Sequence, residues 1–209
     1  KPLTLELGGK SPIVVCEDAD LDAAADAAVL SIFFNQGQTC TAASRLFVHG
    51  DVKDRFLDKL KLRASRIKVG DPQKESTQVG AVISKKQLQR IDPFVENAKR
   101  HGASVICGGH ILRFGDELPG YFYTPTILQG LEITDEISQE EIFGPVLVVH
   151  EFKSDDQVID AANSVRYGLA ASIWTKNMAR LDNFTKHVQA GLVWCNCIFV
   201  ENPNAPVGR

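Results

Sequence analysis

The 209 residues predict an α/β fold with a largely parallel sheet flanked by helices. Three observations carry that prediction. Strand-like and helix-like segments alternate along the chain, most regularly after residue 145. The helix-like segments are amphipathic, with positions such as Val52, Phe56, Leu60 and Ala64 forming one apolar stripe. The composition is 44% hydrophobic and 23% charged, which supports a core and excludes a collagen-like, low-complexity or disordered chain. No internal repeat, heptad or linker-like tract divides the sequence, so positions 1–209 read as one domain.

Element by element, residues 4–7 and 13–16 read as short strands, with Asp18 and Asp20 as capping candidates behind them. Apolar and Ala positions 21, 24, 25, 28 and 32 recur at helical spacing up to about Phe34, just before a turn centred on Gly37. Residues 45–48 read as a strand and 52–67 as a helix, which Gly70-Asp71-Pro72 breaks. Ser84 caps a helix predicted through Arg100, with a kink or new turn expected at Pro93. A strand at 104–107 leads into a Gly-rich excursion over 108–120 and an extended stretch at 122–128. The remainder reads strand 146–152, helix 154–164, strand 170–174, helix 178–188 and strand 192–195.

A formal net charge of -3 without long Lys/Arg runs offers no electrostatic footprint for nucleic acid or an anionic membrane surface. The most apolar stretches, 27–34 and 142–149, fall far short of the ~20 residues that span a bilayer. Five Cys, an odd number without disulfide-framework spacing, point to a reducing compartment, the cytoplasm or an equivalent. Cys195-x-Cys197 and Cys107-x-x-His110 each lack a second half at zinc-like spacing, so no metal is expected. Two buried cysteines packed on one strand face explain Cys195 and Cys197 instead. The chain opens at Lys1 rather than Met and stops abruptly after Pro206-Val207-Gly208-Arg209, which reads as a piece of a longer protein.

Chemistry concentrates in two places. In Asn35-Gln36-Gly37-Gln38-Thr39-Cys40-Thr41 a thiol follows a helix end and a Gly turn, among small polar residues rather than in an apolar run. A loop thiol is a candidate nucleophile when its surroundings favour thiolate. In Leu5-Glu6-Leu7-Gly8-Gly9-Lys10 a carboxylate sits between two Leu, and desolvated carboxylates suit general-base work near neutral pH. The competing account is a strand with Leu5 and Leu7 facing the core and Glu6 facing water.

Together these segments resemble the glutamate motif (LELGGKSP) and the cysteine motif (FFNQGQTCTAAS) of the aldehyde dehydrogenase superfamily. Glu140-Glu141-Ile142-Phe143-Gly144-Pro145-Val146 resembles a third motif, and NSVRYGL (163–169) with GLVWCN (191–196) the later part of the catalytic domain, so the likeness runs end to end. The resemblance implies Cys40 as nucleophile and Glu6 as the base that activates water for thioester hydrolysis. A base at Glu6 marks the acid-forming type rather than the type that transfers an acyl group to coenzyme A. It also implies NAD or NADP as cofactor, with Glu141 on the nicotinamide ribose, Phe143 beside the ring and the Leu7 backbone near the carboxamide. An aldehyde tunnel would be lined by Phe34, Thr39, Thr41, Glu201 and Val207. Glu201 and Val207 stand where many members carry aromatic residues, and a carboxylate there would favour polar or cationic aldehydes. Gly208-Arg209 departs from the usual Gly-Gly.

No Gly-rich phosphate-binding turn follows any strand, since Gly8-Gly9 and Gly108-Gly109 have neither the spacing nor the βα context. In the family that cofactor-binding domain precedes the glutamate motif, so the chain reads as the catalytic domain alone, from a parent expected to be a homo-oligomer. Two alternatives stand beside this reading. One is a non-enzymatic domain of the same fold with an inert Cys40. The other is a cysteine hydrolase, for which none of His49, His101, His110, His150 or His187 sits in a partner-marking motif; these read as surface or loop residues.

Overall fold

Strand register and side-chain alternation decide the architecture. The computed structural model describes residues 5–200. In β1 (Pro12–Val15) every residue is buried, Ile13 and Val15 in one cluster and Val14 in another, as expected of a strand covered on both faces. It pairs in parallel with β2 (Arg45–His49) and β8 (Ala170–Trp174). The sheet continues from β2 to β7 (Val146–Phe152) and β6 (Thr126–Gln129), and from β8 to β9 (Leu192–Cys195), all in parallel. Antiparallel β3 (Ser104–Cys107) closes the far edge, giving the order β3-β6-β7-β2-β1-β8-β9.

Helices cover both faces. On one lie α1 (Leu21–Phe33) and α2 (Lys53–Ser65), which press Ala24, Ala28, Phe56 and Leu60 onto Ile13, Val15, Leu46 and Val48. On the other, α5 (Asp155–Asn163) and α6 (Met178–His187) pack Val158, Leu181 and Phe184 on Val14, Phe47 and Ile173. Beside them α3 (Lys85–Arg100) lays Ile91 and Val95 on Leu128, Val146 and Val148. Side chains supply the missing acceptors at helix starts: Asp20 caps α1, Ser84 caps α3, Ser154 caps α5 and Asn177 caps α6.

The predicted strands at 146–152, 170–174, 192–195 and 104–107 and the helices around them are observed within a residue or two. Four expectations need correction. Residues 5–7 form no strand, and Leu5 and Leu7 are both exposed (58% and 60%), so neither faces the core. Helix α3 runs unbroken through Pro93: both Pro93 and Gln89, whose carbonyl loses its helical donor, are exposed to water. Cys195 ends β9 exposed, and Asn196 then adopts a left-handed conformation (φ 54°), so the two cysteines do not pack as a core pair. His150 is buried within β7 rather than lying on the surface.

The excursion at 108–120 contains a short strand, β4 (Ile111–Leu112), which pairs with β5 (Phe122–Tyr123). The one-turn α4 (Glu136–Gln139) was not foreseen, because four residues show no helical period. Among the described residues no helix is long and apolar enough to cross a membrane, and no group of three or more His, Cys, Asp and Glu is placed to hold a metal.

Candidate active site

The candidate residues converge because the loops that carry them precede neighbouring parallel strands. The glutamate segment leads into β1, the cysteine loop into β2 and the Glu141 segment into β7, and these strands are adjacent in the sheet. The site therefore lies at the amino ends of the strands, opposite to the usual placement in open α/β sheets.

The cysteine loop begins where α1 stops at Phe33. Asn35 and Gln36 take left-handed backbones (φ 49° and 58°), and the Asn35 amide donates to the Gln38 carbonyl at 3.0 Å, closing the turn. Gly37 (φ 70°) is held so close to Gly144 that a methyl group would collide with the Gly144 carbonyl. This fastens the cysteine loop to the third motif. Cys40 emerges half-buried, and its main-chain N–H has no hydrogen-bond partner among the described residues. Elsewhere in the chain, burial pushes the Cys16 thiol up to about 12 and the Cys107 thiol up to about 11, which keeps both protonated near neutral pH.

Gly9 joins all three segments. A Cβ there would strike the Cys40 carbonyl oxygen, so the two backbones touch. Its N–H donates to Glu141 Oε1 at 3.1 Å, while a Cβ on Gly8 would strike the same carboxylate. Glu141 is thus laid across the Gly8-Gly9 backbone. Its own N–H donates to the Tyr167 hydroxyl at 3.4 Å, and Arg90 donates to its carbonyl at 2.7 Å. Phe143 has a left-handed backbone (φ 58°), strained for an aromatic residue, and the Gln87 amide holds it by donating to the Ile142 and Phe143 carbonyls at 3.0 and 2.7 Å. Ser84, Gln87, Arg90, Glu141 and Phe143 line an open groove of about 750 Å³.

Beneath these loops lies an unusual buried cation. Arg45 is 1% exposed and pairs with no carboxylate among the described residues; it donates to the carbonyls of Lys10, Ala161 and Ala162 at 2.8, 3.0 and 2.8 Å. Two of those carbonyls belong to the last turn of α5, where the helix dipole favours a cation. Burial still lowers its pKa to about 9.

Of the predicted residues, the structure brings Cys40 and Glu141 together on Gly8-Gly9, with Phe143 and Thr39 lining the same small cavity as Gly9 and Leu7 preceding Gly8 in an exposed position. Glu6 precedes the same glycine pair but is exposed, so the described residues do not supply the apolar surroundings expected of it. Thr39 and Thr41 flank Cys40 half-buried, and Phe34 is 56% exposed with its ring 6.0 Å from that of Phe199. Glu201 and Val207 lie outside the described residues. Sequence reasoning missed Gln87, Arg90, Arg45 and Tyr167, which hold main-chain atoms rather than carry chemistry. Arg45 directly follows the cysteine motif and Tyr167 lies within NSVRYGL, whereas Gln87 and Arg90 on α3 lie far along the chain from every motif and gave no signal. A separate cleft of about 650 Å³, lined by Phe47, Leu131, His150 and Asp160 among others, includes none of the predicted catalytic, cofactor or substrate residues.

Comparison with known proteins places the sequence and the fold in a family. The family model described as the aldehyde dehydrogenase family matches residues 1–208. The chain is 42% identical over 201 residues to a chloroplastic betaine aldehyde dehydrogenase of Amaranthus hypochondriacus, an alignment covering 94% of this chain and 39% of that protein. It is 43% identical over 208 residues to the mitochondrial aldehyde dehydrogenase family 2 member B4 of Arabidopsis thaliana, covering 100% of this chain and 38% of the relative. The fold superposes on an NAD-dependent aldehyde dehydrogenase from Sinorhizobium meliloti with a TM-score of 0.93 at 35% identity, over 97% of this chain and 40% of that one. The chain thus spans about two-fifths of the length of these relatives. With the family model matched nearly end to end and the three motifs packed at the amino ends of β1, β2 and β7, the chain belongs to the aldehyde dehydrogenase family.

Proposed function

We propose that this chain is the catalytic domain of an NAD(P)-dependent enzyme that oxidises an aldehyde to a carboxylic acid. The observation that carries the reading is Gly9, seated on the Cys40 carbonyl while its N–H holds Glu141, which puts nucleophile, base segment and cofactor-facing carboxylate in one cluster. Cys40 as thiolate adds to the aldehyde carbon, the carbonyl electron pair moves to oxygen, and the Cys40 N–H, without a partner among the described residues, is available to that oxyanion. A nicotinamide cofactor, when bound, supplies the oxidant that converts the resulting thiohemiacetal to a thioester. Glu6 then takes a proton from water, the water oxygen bonds to the acyl carbon, and the C–S bond breaks to return Cys40 as thiolate.

The residues present fit the nicotinamide-ribose end of such a cofactor. Glu141 offers a carboxylate to ribose hydroxyls and Phe143 an aromatic face, both beside an open groove. Phe34, Thr39 and Thr41 form the described part of the aldehyde path. The exposed Leu5, Leu7 and Phe34 favour the view that a further domain, carrying the phosphate and adenosine contacts, covers this rim in a longer homo-oligomeric enzyme.

The test is the pH dependence of alkylation of each cysteine by iodoacetamide, followed by mass spectrometry on the 209-residue chain. Cys40 is expected to react fastest of the five. A rate no faster than that of Cys197 would make Cys40 inert and favour a non-enzymatic domain of the same fold. Aldehyde oxidation by the chain alone should be weak or absent, and strong aldehyde-dependent NADH formation that disappears in Cys40→Ala would overturn the division of labour proposed here.

A further inference from the structure

We propose that Tyr167 is a positioning residue for Glu141: its hydroxyl, seated between Arg166 and Glu140, accepts the Glu141 N–H and keeps the Glu141 carboxylate on Gly9, where the cofactor meets it. The inference rests on the reading above, in which Glu141 meets the nicotinamide ribose, and it gives a task to NSVRYGL, a motif that the mechanism leaves unused. The contacts are direct. The Glu141 N–H donates to the Tyr167 hydroxyl at 3.4 Å, and that hydroxyl donates to Glu140 Oε2 at 3.4 Å. Arg166 donates to the same Glu140 oxygen at 2.6 Å and to the Tyr167 oxygen at 3.1 Å, with its guanidinium 5.2 Å from the centre of the Tyr167 ring. One phenol oxygen thus accepts from Glu141 and Arg166 and donates to Glu140, a combination open to a hydroxyl but not to a phenyl ring.

The loop that carries Tyr167 is itself anchored. The Asn163 amide donates to the His187 carbonyl at 2.9 Å and its oxygen accepts the Gln189 N–H at 2.7 Å, while the Gly168 and Leu169 carbonyls accept the N–H groups of Gly191 and Leu192. Leu169 also reaches Gly9, since a Cβ there would stand 3.3 Å from Leu169 Cδ2. The same loop therefore touches both partners of the Gly9–Glu141 hydrogen bond, the glycine through Leu169 and the main chain of Glu141 through Tyr167. From α3, Arg90 donates to the Glu141 carbonyl at 2.7 Å, so both peptide groups that flank its Cα are fixed, and with them the direction in which the side chain leaves. The carboxylate has only the Gly9 N–H as a hydrogen-bond partner among the described residues, so its placement depends on this main-chain hold. The Arg166 side chain is 70% exposed, and exposed ion pairs add little stability; the cluster acts on where Glu141 stands rather than on whether the chain folds.

Equilibrium binding of NAD+ to the intact enzyme tests this. Tyr167→Phe removes the hydroxyl and keeps the ring beside Arg166; it should weaken NAD+ binding roughly three- to ten-fold, the loss expected for one hydrogen bond. Glu141→Ala should weaken binding as well, and adding Tyr167→Phe to it should weaken binding no further, because the group being positioned is gone. The rate of Cys40 alkylation by iodoacetamide should be the same in Tyr167→Phe as in wild type; an altered rate would make Tyr167 a packing residue for the site as a whole and overturn the proposal. Unchanged NAD+ affinity in Tyr167→Phe, or a loss of equal size in the Glu141→Ala background, overturns the proposal and leaves the ribose reading standing as long as Glu141→Ala alone weakens binding. If Glu141→Ala binds NAD+ as tightly as wild type, the ribose reading fails and the proposal with it. Glu140→Ala, which takes away the acceptor of the hydroxyl, gives the same cycle if Tyr167→Phe does not fold.

Discussion

Gly9 and Cys40 show how little room the site has at the scale of single residues. A methyl group on Gly9 meets a backbone carbonyl, which cannot rotate away as the end of a flexible side chain can. Gly9→Ala is therefore expected to displace the Cys40 loop and lower kcat/KM for aldehyde by on the order of 100-fold in the intact enzyme, since small misplacements of reacting groups cost about that much. Gly8→Ala meets the Glu141 carboxylate instead and should act mainly on the KM for cofactor, a split that steady-state kinetics would reveal. Had Gly9→Ala the same kcat/KM as wild type, the packing of Gly9 on Cys40 would be incidental. The residue types at these positions were legible in the sequence as motifs, but the partners were not. Nothing in Leu5-Glu6-Leu7 indicated that both leucines would be exposed, because alternation is equally consistent with a strand facing a core.

Elements matter here through their ends, where the site is built. Phe143 keeps a left-handed backbone at a cost of order 1 kcal/mol or more because α3 delivers Gln87 to two carbonyls beside it. Gln87→Ala is expected to reduce activity several-fold by loosening the Glu141–Phe143 segment while lowering stability by only about 1 kcal/mol, as two assays on one variant would show. The cap of α5 offers a contrast. Ser154 Oγ accepts from the Gln157 N–H, so Ser154→Ala should cost about 1 kcal/mol in denaturant unfolding and leave cofactor affinity unchanged, because that end of the helix is remote from the loops. Helix periods, caps and apolar strands made most elements legible. Four-residue α4 and two-residue β4 were not, since neither is long enough to show a period, and Pro93 misled because its helix can leave one carbonyl to water.

For the whole molecule, a buried polar layer beside the sheet sets the response to acid. His150 is 8% exposed, faces the Ser138 hydroxyl at 3.2 Å and stacks on Phe47, and burial first and Arg45 second lower its pKa from 6.5 to about 4. The folded state thus binds this proton less readily than the unfolded chain. Stability from this group is complete above about 6.5 and is lost as pH falls towards 4, by about 3 kcal/mol for a shift of that size. His150→Phe should flatten the slope of unfolding free energy across that window, whatever its effect on the plateau; an unchanged slope would place the acid response elsewhere. The sequence by itself determined the alternating α/β order, the caps and the identity of Cys40, Glu6 and Glu141 as candidates, because propensity, period and motif are local properties. Only the tertiary structure decided that Arg45 and Lys10 would share a buried layer and that Gly9 would touch Cys40. It also decided that the site would form at the amino ends of the strands, since parallel pairing joins segments far apart in the chain, and burial together with the neighbouring Arg45 lowers the pKa of Lys10.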